Sequence, residues 1–141
     1  MDQTVTIILF FSAILLFAGL LFAIITLTRR SPKGVNVEKY RCDWLDIEKM
    51  INKDEPTTYA VSILNADSLL DKALQESGFA GKNMAERMKS AHKSWSHADS
   101  VWGAHKLRNQ IAHESSTKVN YDTTRRALAS FKRGLKDLGV I

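Results

Sequence analysis

Trp102 to Glu114, WGAHKLRNQIAHE, is the stretch from which the rest of the chain can be read. Val101 just before it, and Ala104, Arg108 and Ile111 within it, recur every three or four residues, the spacing of one face of an α-helix. Trp102 and Leu107 lie beside that face, so a helix from about Ser100 to Glu114, packed against other helices, is expected. Asn109 and His113 are four apart and point the same way, with His105 one turn earlier on their stripe. Arg108 lies beside the stripe, nearer His105 than His113. An ideal helix sets Arg108 and His113 roughly 140° apart. The two converge only if the helix ends or bends near His113, or if a second copy of the chain supplies the other half.

Upstream, Ser94 to Asp99 is a polar break, and Asn83-Met84-Ala85-Glu86 reads as a capping box opening a short helix to about Lys93. Before it, Tyr59 or Ala60, Ile63, Ala66 or Asp67, Leu70 and Ala73 or Leu74 keep helical spacing from Pro56 to Glu76. Gly78 is placed for the left-handed position after that helix, and Gly81 for a loose connection. Tyr40, Trp44, Ile47 and Ile51, widened by Leu45 and Met50, mark an amphipathic helix over 37–52. Downstream, Ser115 to Thr117 is a turn. Asp122 is placed to cap a last helix holding Ala127 or Leu128, Phe131, Leu135 and Leu138. No segment alternates as a strand does and no repeat recurs. The expected fold is all-α: four helices from Pro56 onward, with the 37–52 helix as an adapter or fifth member.

The N-terminus is of another kind. Residues 5–27, VTIILFFSAILLFAGLLFAIITL, hold no charge and only Thr6, Ser12 and Thr26 as polar groups. That run is long enough for a hydrocarbon core of about 30 Å, where a helix satisfies its own backbone. The start Met1-Asp2-Gln3-Thr4 lacks the positive charge of a secretory signal, so a permanent anchor is expected. Residues 1–28 are read as the anchor, 29–36 as a basic linker beside the membrane, and 37–141 as the helical domain. Basic residues set orientation. None precedes the span, whereas Arg29, Arg30, Lys33, Lys39 and Arg41 follow it. The N-terminus is therefore expected outside and the domain in the cytoplasm, at a cell inner or plasma membrane. All 20 Lys and Arg follow residue 28, against every acidic residue but Asp2. The excess is small, and it argues for lipid headgroups more directly than for nucleic acid. Cys42, the single cysteine, excludes an intrachain disulfide and is read as a small buried or neutral residue.

Arg108-Asn109 followed by His113, late in a helical pattern, resembles the arginine, polar residue, histidine signature of the HEPN superfamily of small helical bundles. The resemblance covers roughly Pro56 to Leu138. It implies a four- to five-helix bundle, a homodimer whose two motifs face one cleft, and metal-independent endoribonuclease activity without a cofactor. It makes His113 the acid/base group, Arg108 the phosphate-binding group and Asn109 the residue that orients them. RNA is the implied substrate, in a stress, defence or toxin-like role. Other members of the superfamily dimerise or hold a ligand or protein partner without cleaving RNA, and that alternative stands beside the first.

Each residue also has a plainer role open to it. Arg108 can cap its helix or pair with Asp99 or Glu114, and His113 suits a helix C-terminus. His105, Asn109 and His113 lack the Cys or carboxylate that would make a metal site. Trp102 fits core packing, Trp44 the packing of its own helix, and Trp95 either packing or a base-stacking surface. No glycine-rich phosphate loop, nucleophile elbow or catalytic carboxylate pair occurs, which disfavours a kinase, an NTPase and a serine hydrolase.

Overall fold

The computed structural model describes residues 2–28, 32 and 34–141. Arg29, Arg30, Ser31 and Lys33, which carry most of the expected basic linker, lie outside the described residues. Two compact units divide the chain, Met1–Arg30 and Ser31–Ile141.

The first unit is helix α1, Gln3–Thr28. Its segment Gln3–Ile25 has a mean hydropathy of 2.9 and no buried residue, and is long and apolar enough to cross a membrane. Ser12 turns back onto the helix, its Oγ donating to the Leu9 carbonyl at 2.9 Å. A hydroxyl satisfied this way suits a medium without water.

The second unit is all-α, with no strand among the described residues. It comprises α2 (Val37–Met50), α3 (Thr57–Glu76), α4 (Met84–Ala91), a 3₁₀ turn (His92–Ser94), α5 (Ala98–His113) and α6 (Tyr121–Asp137). Helix α3 is central and packs against each of the other four helices. Its Ile63, Ala66, Leu70, Ala73 and Leu74 are fully buried, as their helical spacing predicts. Phe131 and Leu135 of α6, Val101 of α5 and Met88 of α4 complete the core around it.

The helix ends follow local chemistry. Asn36, Asn83 and Asn120 each accept a hydrogen bond from the backbone N–H three residues on, at 3.0, 2.9 and 2.8 Å. The cap of α6 is therefore Asn120, with Asp122 in the first turn rather than at the expected capping position. Glu86 does reach back, but to the Lys82 N–H at 2.7 Å rather than to Asn83. Gly78 adopts φ 83°. Its N–H donates to the Gln75 carbonyl and that of Phe79 to the Leu74 carbonyl, so the left-handed residue closes α3 as the sequence predicts.

Gly81 does not loosen the connection. A Cβ there would lie 2.5 Å from the Arg87 backbone nitrogen, so only glycine lets the start of α4 approach this closely. Three further expectations change. Leu45 and Met50, expected to widen the buried stripe of α2, are 49% and 37% exposed; Tyr40, Trp44 and Ile47 already fill the contact with α3. Helix α2 stops at Met50, short of residue 52. Cys42 is exposed, on the face of α2 opposite the stripe of Tyr40, Trp44 and Ile47.

One ion pair ties α4 to α3. Arg87 Nε and Nη2 donate to Asp71 Oδ1 and Oδ2, both at 2.8 Å, while Nη1 donates to the Gly81 carbonyl at 2.9 Å. Two-pronged, partly buried pairs of this kind are among the strong ones. Asp71→Ala should cost about 1–2 kcal/mol. Chemical denaturation checks this, and an unchanged midpoint would reduce the pair to a surface contact.

Candidate functional site

The core spacing that puts Asp67 on the buried face of α3 also leaves its carboxylate only 3% exposed, at the wall of a hollow. A buried carboxylate needs partners. Helix α5 crosses α3 there and supplies them. His105, itself buried, lies with Nδ1 2.7 Å from Asp67 Oδ1. Arg108 Nε lies 3.2 Å from Asp67 Oδ2, an ion pair whose N–H is not aimed along the hydrogen-bond direction.

Two more contacts close a ring. Arg108 Nη1 donates to Asn109 Oδ1 at 3.1 Å, and Asn109 Nδ2 lies 3.2 Å from His105 Nε2. These fix polarity. A guanidinium only donates, so the amide oxygen of Asn109 must face Arg108 and its NH₂ must face His105. Nε2 then accepts, and the imidazole proton sits on Nδ1, where it meets Asp67. Four side chains from two helices thus form one directed circuit, with the edge of Trp102 against the His105 ring at a centroid distance of 6.2 Å.

The circuit walls a hollow of about 340 Å³ between α3, α5 and the start of α4, with Ser68, Asn83 and Met84 closing its sides. The Arg108 side chain is 31% exposed and lines it. Arg108 can therefore hold an anion there only in competition with Asp67, which already balances its charge.

His113 stands elsewhere. It is the last residue of α5, exposed, one turn beyond Asn109 and not part of the wall of the hollow. The helix ends there, where the Glu114 N–H donates to the Gln110 carbonyl at 2.8 Å. The structure thus brings Arg108 and Asn109 together and joins them to His105 and Asp67, leaving His113 at the helix end.

No family model, curated protein or solved structure matches the chain. The likeness to HEPN domains therefore rests on the motif and its helical setting alone, and what the structure itself carries is a helical bundle and an apolar N-terminal helix.

Two participants escaped sequence reasoning. Asp67 was legible only as a position in the apolar stripe of α3, although an acidic residue at a core spacing is itself a signal that a cation must meet it. His105 was placed on the right stripe and nearest Arg108, but without a role. The carboxylate partner of Arg108 is Asp67, neither Asp99 nor Glu114, because α5 turns its Arg108 edge toward α3. Trp95, left open between packing and stacking, is buried against Gly134 of α6. Trp102 is half-buried on the edge of the core. Among the described residues, no three His, Cys, Asp or Glu side chains gather as metal ligands do.

Proposed function

We propose that this chain is a membrane-anchored, HEPN-like bundle that cleaves RNA as a homodimer without a metal ion, in a stress, defence or toxin-like response. The observation that carries this reading is the contrast between its two motif groups: Arg108 is held between Asp67 and Asn109 at the wall of a hollow, and His113 is exposed at the end of the same helix. A fixed guanidinium suits a phosphate whose charge grows in the transition state, and an exposed imidazole can move protons near neutral pH. A second copy brings the His113 of one chain to the Arg108 of the other. The RNA 2′-hydroxyl then attacks the neighbouring phosphorus while His113 takes its proton. The bond from phosphorus to the 5′-oxygen breaks, the departing oxygen takes up the proton that His113 accepted, and a 2′,3′-cyclic phosphate forms.

The charge balance at Asp67 favours a second reading, a non-catalytic module that dimerises or holds a protein partner at the membrane, with the circuit as scaffold. RNA cleavage by the detergent-solubilised full chain in EDTA separates the two. Cleavage that leaves cyclic ends and disappears in His113→Ala, with fold and dimer intact, supports the nuclease. A folded dimer inert toward varied RNAs supports the module.

The helical unit is proposed to face the cytoplasm. In sealed right-side-out vesicles it should resist external protease, and its digestion there would reverse the orientation.

A further inference from the structure

Two hollows meet on the side of the bundle where α2 and α6, each packed on α3, face one another across a gap bridged by Lys132 and Glu48. One, of about 460 Å³, is lined by Tyr121, Arg125 and Leu128 of α6 and by Trp44 and Ile51 of or near α2. The other, of about 250 Å³, is lined by Arg41, Leu45, Lys136 and Ile141. Trp44, Glu48 and Lys132 belong to both and join them into one groove. Arg125, Lys132 and Lys136 come from one face of α6, at spacings of seven and four residues, and α2 adds Arg41.

Four cations therefore face one carboxylate, Glu48. Burial works to raise the Glu48 carboxyl, but the hydrogen bond from Lys132 and the charges of Lys132 and Lys136 outweigh it and hold it below the ordinary carboxylate value. Glu48 is thus charged and occupied by Lys132. Arg41, Arg125 and Lys136 have no ion pair with a carboxylate among the described residues. Arg125 lies over the Tyr121 ring and near Asp122.

We propose that this groove binds the phosphate headgroups of anionic lipids in the bilayer that α1 enters. The cations stand beside apolar surface: Leu45 is 49% exposed and the partly exposed Ile141 continues it. Cations over exposed aliphatic surface match the boundary between headgroups and acyl chains. Only eight residues separate the end of α1 from the start of α2, a reach of at most roughly 28 Å. Headgroups are thus the phosphates at highest local concentration. RNA is a poorer match, because the rings it would stack on are covered. Arg125 lies 5.8 Å from the Tyr121 centroid, Lys132 lies 6.0 Å from that of Trp44, and Trp44 is itself buried. The inference rests on α1 lying in a bilayer and not on the nuclease reading.

Cys42, exposed and next to Arg41, supplies the reporter. The full chain carrying a fluorophore on Cys42 is placed in nanodiscs of phosphatidylcholine alone or with phosphatidylglycerol, each doped with a lipid spin-labelled at its headgroup. Quenching should be roughly twofold greater in the anionic discs and should fall toward the neutral value in high salt. The double variant Arg41→Gln, Lys136→Gln should lose the excess; both residues are exposed, and circular dichroism confirms the fold. Equal quenching in the two discs overturns the proposal, as does an excess that survives in the double variant. An RNA oligomer that slows the fluorophore's tumbling in neutral discs, while anionic lipid changes nothing, reassigns the groove to nucleic acid. Failure of the chain to enter either disc removes the bilayer and the inference with it, whatever the chain does to RNA.

Discussion

An equal mixture of Arg108→Ala and His113→Ala chains should recover RNA cleavage that neither chain has alone. Loss of the acid/base group costs about 10²–10⁴-fold in rate, and loss of a fixed charge donor to the transition state costs about 10²–10³-fold. On the proposed nuclease reading, each variant by itself should therefore be close to inactive. If a site is built from Arg108 of one chain and His113 of the other, a mixed dimer has one site with both groups and one with neither. Random pairing makes half the dimers mixed, so the mixture should reach about a quarter of the parental rate. The helix angle between the two residues makes this test sharper than either variant alone. Recovery near zero, with both variants folded and able to exchange subunits, would mean that the groups act within one chain or not at all.

Replacing Asp67 with alanine should lower the stability of the helical unit by roughly 3 kcal/mol and its Tm by roughly 10 °C. Asp67 is 3% exposed and is the meeting point of His105 and Arg108. Its removal leaves the Nδ1–H of a buried imidazole without an acceptor and a guanidinium beside an empty space. The circuit then loses its direction, because nothing holds the imidazole proton on Nδ1. Asp67→Asn keeps the volume but not the charge, and should fall between parent and alanine. In an Arg108→Ala background, Asp67→Ala should cost roughly 1 kcal/mol less, the coupling expected of residues in one network. Thermal unfolding of the full chain in detergent, followed by circular dichroism, measures all three. A loss below about 1 kcal/mol for Asp67→Ala would show the carboxylate to be hydrated and the ring incidental.

The two sets of variants also separate structure from chemistry. His113 touches none of the circuit, so His113→Ala should leave Tm unchanged while it abolishes cleavage. Asp67→Ala should lower Tm and, through the looser Arg108, lower cleavage as well.

Much of the architecture is legible along the chain because helical periodicity and capping are local. Ile63, Leu70, Val101, Phe131 and Leu135 are buried where a repeat of three to four residues places them. Asn83 and Gly78 act where short-range backbone chemistry predicts. Errors arise where two local candidates compete: Asn120 outbids Asp122 for the cap of α6 because its carbonyl oxygen meets the Thr123 N–H. Others arise where burial depends on which neighbour is present. Leu45 and Met50 flank the buried stripe, and the described residues cover them only in part.

By itself, then, the sequence determined an all-α chain with one helix long and apolar enough to span a bilayer, followed by a helical unit with its apolar faces turned inward. It also placed Arg108, Asn109 and His113 on one helix with a calculable angle between them. Only the tertiary structure decided what Arg108 meets. Asp67 lies 41 positions earlier on α3, and no periodicity within either helix tells which edge of α5 will rest on it. The crossing of α3 and α5 makes that choice, and with it the chain acquires the Asp67–His105–Asn109–Arg108 circuit. The packing of both α2 and α6 on α3 likewise gathers Arg41, Arg125, Lys132 and Lys136 along one groove. Charges so far apart in sequence become one site only when packing brings them together.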